Sequence, residues 1–93
     1  MAGGDPVVVV LKEPISFGSE TITELSLRRP KAKDFRRLPM EPGMGDLLDL
    51  AGALARQPKP VMDELGIEDM TRLLEVVGGF FPGGRGSGGK PSP

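Results

Sequence analysis

Three groups of residues in this chain have types and spacings that chemistry uses. Gly84, Gly89 and Lys90 fit G-x-x-x-x-G-K, the outline of a loop that cradles phosphates with backbone N–H groups and a lysine. The mechanism behind that outline is missing. Pro91 stands where a Ser or Thr hydroxyl would meet magnesium, no strand precedes the glycines, and too little chain follows Lys90 to form the phosphate-holding helix. A flexible Gly-rich tail is the plainer reading. Arg28, Arg29, Lys31, Lys33, Arg36 and Arg37 form a basic patch interrupted by a single acid, Asp34. Six cations this close could contact nucleic-acid phosphates, yet the chain has no Tyr or Trp for base stacking and an acidic pI of about 5.4. Those facts favour a solvated or self-complementary charge block over a small regulatory nucleic-acid binder. The acid pairs Asp46/Asp49 and Glu68/Asp69 suggest metal or acid–base work, but both open predicted helices, where the macrodipole favours acids.

Composition narrows the chemistry further. There is no Cys and no His, so thiolate and imidazole zinc sites, a cysteine nucleophile and a histidine general base are excluded. No catalytic, cofactor or metal site is expected, and the chain reads as a non-enzyme. Disulfides are impossible, which favours a reducing compartment. The longest apolar run, Val7 to Leu11, is too short for a signal-peptide core or a membrane span, and the chain reads as a cytoplasmic protein without a membrane partner.

The elements that must position these residues follow from periodicity and punctuation. Of 93 residues, 14 are Gly and 10 are Pro, and many of these collect after Val77. The expected organisation is a frayed N-terminus (1–5), one small domain (6–81) and a flexible Gly/Pro-rich tail (82–93). Val7 to Lys12 is β-branched and follows Pro6, which predicts a strand. Glu20 to Arg28 predicts a second, and Gly18-Ser19 between them is a primed-turn signal. A plain two-residue loop would set Lys12 opposite Leu25 and mix the faces. Pairing Val9 with Leu27 and Leu11 with Leu25 makes a clean apolar face, so a bulge or three-residue loop is expected near Pro14 or Gly18.

Helices are predicted at Ala32–Leu38, Asp46–Arg56, Pro60–Leu65 and Glu68–Val77. Pro58 and Pro60 separate the second from the third, Gly66 is expected to end the third in a left-handed conformation, and Gly78-Gly79 to end the fourth. The apolar faces are Leu47, Leu50, Ala51 and Leu54 on the second helix, and Met70, Leu73, Leu74 and Val77 on the last. Met40, Met44, Met62 and Met70 could make an adaptable surface, with core filling the expected role of Met62 and Met70. The class is α+β: an N-terminal antiparallel β-hairpin followed by three to four short helices.

Charge is polarised along the chain. Residues 28–40 carry a net +5, residues 41–81 a net −5, and the first 27 residues a net −3. Blocks of opposite sign can attract within a molecule or between copies.

Taken together, Val7-Val-Val-Val-Leu-Lys-Glu-Pro-Ile-Ser-Phe-Gly, then Glu20-Thr-Ile-Thr-Glu-Leu-Ser-Leu-Arg-Arg-Pro-Lys-Ala-Lys-Asp-Phe-Arg, and finally Leu73-Leu-Glu-Val-Val-Gly-Gly-Phe resemble the tail assembly chaperones of contractile-tailed bacteriophages. The family comprises the E-type and Mu-like tail proteins, and the likeness runs from about Val7 to Phe81. It implies a non-enzymatic protein of the infected or lysogenic bacterial cytoplasm. Such a protein binds and solubilises the tape measure protein until tail tube subunits polymerise around it, and is absent from the mature virion. The family also implies contact with the tail tube protein and a longer, frameshifted form of the same chain. A minor structural tail protein is the competing role. Leu47, Leu50, Leu54, Met70, Leu74 and Val77 are the expected client-binding residues, shared between core and client, and a hairpin edge could recruit another copy by strand addition.

Overall fold

The computed structural model describes residues 5–81; the expected tail 82–93, with its phosphate-loop outline, and residues 1–4 lie outside the described residues. Two strands, β1 (Val7–Phe17) and β2 (Glu20–Leu27), form an antiparallel hairpin. Four helices follow: α1 (Ala32–Phe35), α2 (Met44–Ala55), α3 (Lys59–Met62) and α4 (Ile67–Gly79). The class is α+β, as the periodicity predicts.

The hairpin turns at Gly18-Ser19 with Phe17 paired to Glu20, and Gly18 alone of the two has positive φ, at 62°, as a type II′ turn requires. The ladder is broken where Pro14 predicts it. Its register, however, differs from the expected one: Val9 faces Leu25 and Val7 faces Leu27, while Ile15 faces Ile22 beyond the break. Four residues of β1, Leu11 to Pro14, stand opposite Thr23 alone. A three-residue offset lets Ile15 and Ile22 share the buried face with Val9, Leu11, Leu25 and Leu27, which one unbroken ladder cannot do.

That face packs on Leu50, Ala51 and Leu54 of α2, Val61 and Met62 of α3, and Leu73 and Val77 of α4. Each large side chain buried there contributes about 1.5–3 kcal/mol relative to exposure. Gly52 permits the tight α2–α3 approach, because a Cβ there would lie 3.0 Å from Met62 Cγ and 3.2 Å from the Gln57 carbonyl oxygen. The Arg28 N–H donates to the Leu54 carbonyl (3.1 Å), tying the end of β2 to α2.

Helix ends depart from expectation at every helix: α2 begins at Met44, two residues before Asp46, and ends at Ala55, and α4 begins at Ile67. α1 stops at Phe35, three residues early, and α3 runs Lys59–Met62 rather than Pro60–Leu65. Gly66 is extended (φ −68°, ψ 158°) and precedes α4. The left-handed cap falls instead on Arg56 (φ 59°) after α2, where the Gln57 N–H reaches the Gly52 carbonyl at 2.9 Å. Finally, Gly78 and Gly79 continue α4, carried by the burial of Val77 and the packing of Phe80 on the core.

Candidate partner-binding surfaces

Two aspartates set the frame on which the exposed residues sit. Asp69, in the first turn of α4, is 1% exposed. Its carboxylate accepts the N–H groups of Lys12 (2.9 Å) and Glu13 (3.0 Å), which the break in β1 has left without strand partners. Arg72 completes the arrangement, donating from Nη1 to Asp69 Oδ1 (2.7 Å) and from Nη2 to the Val10 carbonyl (2.6 Å). The two backbone N–H donors, then the Arg72 charge, hold the Asp69 carboxyl below the usual carboxylate range despite its burial. The outer edge of β1 is therefore covered by α4 over Val10 to Glu13, and strand addition is closed there.

Asp34 is the second buried acid. Arg28 grips it with two parallel bonds, Nη1 to Oδ2 (2.9 Å) and Nη2 to Oδ1 (2.8 Å), while the Lys31 N–H donates to Oδ2 at 2.7 Å. The guanidinium fork lowers the Asp34 pKa to about 2. In the sequence both acids read as charge or dipole features; the signal for Asp34 is its place three residues after Lys31, the spacing of a capping residue. The Gly43 N–H likewise donates to Asp46 (2.9 Å), so that acid caps α2. No group of three or more metal-capable side chains occurs among the described residues.

The basic patch divides. Arg28 is half-buried on Asp34, whereas Arg29, Lys31, Lys33, Arg36 and Arg37 are exposed, and none of these five forms an ion pair among the described residues. The Arg29 guanidinium lies over the Phe80 ring, 5.6 Å from its centroid. Arg37 lines a cleft with Asp46 and Asp49.

The six apolar candidates also divide. Leu50, Leu54 and Val77 are buried in the core, and Leu47 is half-buried against it. Met70 and Leu74 are half-buried and lie outside the packed core cluster. With Ile67, which is 73% exposed, they recur at the spacing of one helical stripe. The buried face of α4 is thus Asp69, Leu73 and Val77, rotated from the predicted one because the Asp69 staple takes the inward position. Among the methionines Met62 is core, while Met40 (99% exposed) and Met44 are outside it.

A second apolar feature was not foreseen. Phe35, Leu38, Pro39, Met40, Pro42 and Phe81 line a groove of about 300 Å³, with the Phe35 and Phe81 rings edge to face at 5.1 Å between centroids. The only local hint was a cluster of apolar residues around two prolines. No helix among the described residues is long and apolar enough to cross a membrane.

No curated protein and no solved structure matches the chain. The family described as phage tail assembly chaperone proteins, E, or 41 or 14, matches residues 8–82, a span holding nearly all of the hairpin and every helix. The chain belongs to this phage tail assembly chaperone family.

Proposed function

We propose that this chain binds the tape measure protein in the cytoplasm of the infected or lysogenic host and keeps it soluble until tail tube subunits enclose it, then leaves before the virion is complete. The observation that carries the reading is the stripe on α4. Met70 and Leu74 are half-buried, are not used by the core, and sit on a helix anchored by Asp69. Membership of an assembly chaperone family supplies the need for a protein client. A long client with apolar helical stripes can lay them against such a face, helix on helix. Leu47 is the contact offered by α2, with Leu50, Leu54 and Val77 as the buried layer that keeps α2 and α4 in place.

Co-expression with the tape measure protein tests this. Met70→Ser with Leu74→Ser should leave the circular dichroism of a folded chain and reduce the soluble client severalfold. Undiminished client solubility with that variant would refute the assignment. Detection of the chain at stoichiometric amounts in purified virions by mass spectrometry would instead support the structural-protein role.

A further inference from the structure

We propose that the cleft between α1 and α2 receives one basic side chain, a lysine or an arginine, of the protein client; the site rests on the client role proposed above. The cleft encloses about 220 Å³. That is below the roughly 300–1,000 Å³ of sites that hold a whole small molecule, and suits a single long side chain. α2 forms one wall with Asp46, Asp49, Leu50 and Ala53, at the i, i+3, i+4 and i+7 spacing of one helix face. Opposite stand Asp34 in α1, with Arg37 and Leu38 just beyond its end. Leu38, Leu50 and Ala53 offer apolar surface to an aliphatic stem whose charged head reaches the carboxylates.

The charges around the cleft do not cancel. Asp34 is 8% exposed, and the Arg28 guanidinium already answers its carboxylate. Asp46 spends Oδ2 on the Gly43 N–H but has no ion pair among the described residues, and neither has Asp49. Arg37 lines the same cleft without coming within ion-pair distance of any of the three acids. Two unanswered carboxylates and one arginine leave an excess of one negative charge, which one monovalent cation balances and an anion or a purely apolar side chain does not. Arg37 also sets selectivity, because it repels a second positive charge: an isolated lysine or arginine among apolar residues fits, whereas a polybasic run does not. Leu47, the contact α2 offers to the client, directly follows Asp46, so an apolar stripe laid on Leu47 brings its flanking residues to the cleft.

The affinity of the full chain for the co-expressed tape measure protein, measured for the wild type and three variants at exposed positions, tests the proposal. Asp49→Asn should weaken the complex about fivefold or more. Ala53→Arg places a guanidinium one turn after Asp49, fills the cleft from within and should weaken binding about as much. Arg37→Gln removes the competing cation and should tighten binding about twofold to fivefold, a direction that damage to the fold does not produce. On the client side, one Lys→Gln or Arg→Gln substitution at an isolated basic residue of the tape measure protein should reproduce the loss and add nothing to that of Asp49→Asn. Binding that ignores Asp49→Asn and Ala53→Arg, or weakens with Arg37→Gln, would overturn the proposal. So would the lack of any basic client residue coupled to Asp49, or coupling of Asp49 to a basic residue of a second copy. A wild-type chain that forms no complex overturns the client role itself and the cleft with it, whereas a complex that needs Met70 and Leu74 but not Asp49 overturns the cleft alone.

Discussion

Asp69 and Asp34 are both buried carboxylates gripped by an arginine and by backbone N–H groups, yet they hold the molecule at very different ranges. Asp69 joins α4 to residues 57 and 56 positions earlier in the chain, and Arg72 adds a bond to Val10. Asp34 reaches no farther than Arg28 and Lys31, six and three positions away. One is a tertiary staple between strand and helix; the other is a local cap that fixes the turn into α1. The difference teaches that a similar set of charges has unequal structural weight according to what it leaves unpaired when removed. Without Asp69, two amides in a strand break and one guanidinium lose their shared acceptor. Loss of Asp34 frees a single backbone amide near the surface, and the two arginines are alike in exposure, 34% for Arg28 and 40% for Arg72, so the contrast rests on the amides.

The largest expected effect is therefore that of Asp69→Ala, about 3–5 kcal/mol of stability in urea unfolding, as for other broken buried charge networks. Amide exchange at Lys12 and Glu13 should accelerate with it, whereas exchange elsewhere in the hairpin that rises equally would mean general loosening rather than loss of a staple. A middle effect, about 1–2 kcal/mol, is expected for Asp34→Ala, because one backbone N–H rather than two loses its acceptor. If the two alanine variants cost the same, the distinction between staple and cap collapses. The smallest effect is expected from acid. A carboxylate with a lowered native pKa stabilises above its unfolded value and loses that contribution as pH falls through the native one. For Asp34 the window runs from about pH 4 down to about 2, with roughly 1 kcal/mol at stake after solvent screening. Comparing acid unfolding of the wild type with Asp34→Asn, which lacks this titration, should show a shallower decline for the variant in that window.

The same contrast explains what could be read in advance. The strands, the Gly18-Ser19 turn and the amphipathic α2 follow from side-chain types at short spacing, although β1 runs on from Lys12 to Phe17 and α2 begins at Met44 rather than Asp46. The break near Pro14 was legible because proline cannot donate to a ladder, but its length was not. Three extra residues are tolerable only because Asp69 accepts the N–H groups they strand, and no local pattern near residue 12 announces an acceptor so far away. Inward placement of Asp69 also turned α4, leaving Met70 and Leu74 on the flank where periodicity alone had buried them. Leu50, Leu54 and Val77 went to the core by the same hydrophobic rule that made them candidates. The groove has no local signature because its walls come from α1, the following Pro-rich loop and the residues after α4, which only the fold brings together.

The break in β1 also has a history in time. During synthesis at about 5–20 residues per second, Lys12 is made roughly 3–11 s before Asp69, the side chain that satisfies its amide. For that interval the hairpin has its turn and its register-setting valines but an unanswered kink in the middle, so the native strand is completed from the far end of the chain. A nascent or truncated product that stops before α4 would carry the open kink permanently, and only chains translated through Arg72 can close it.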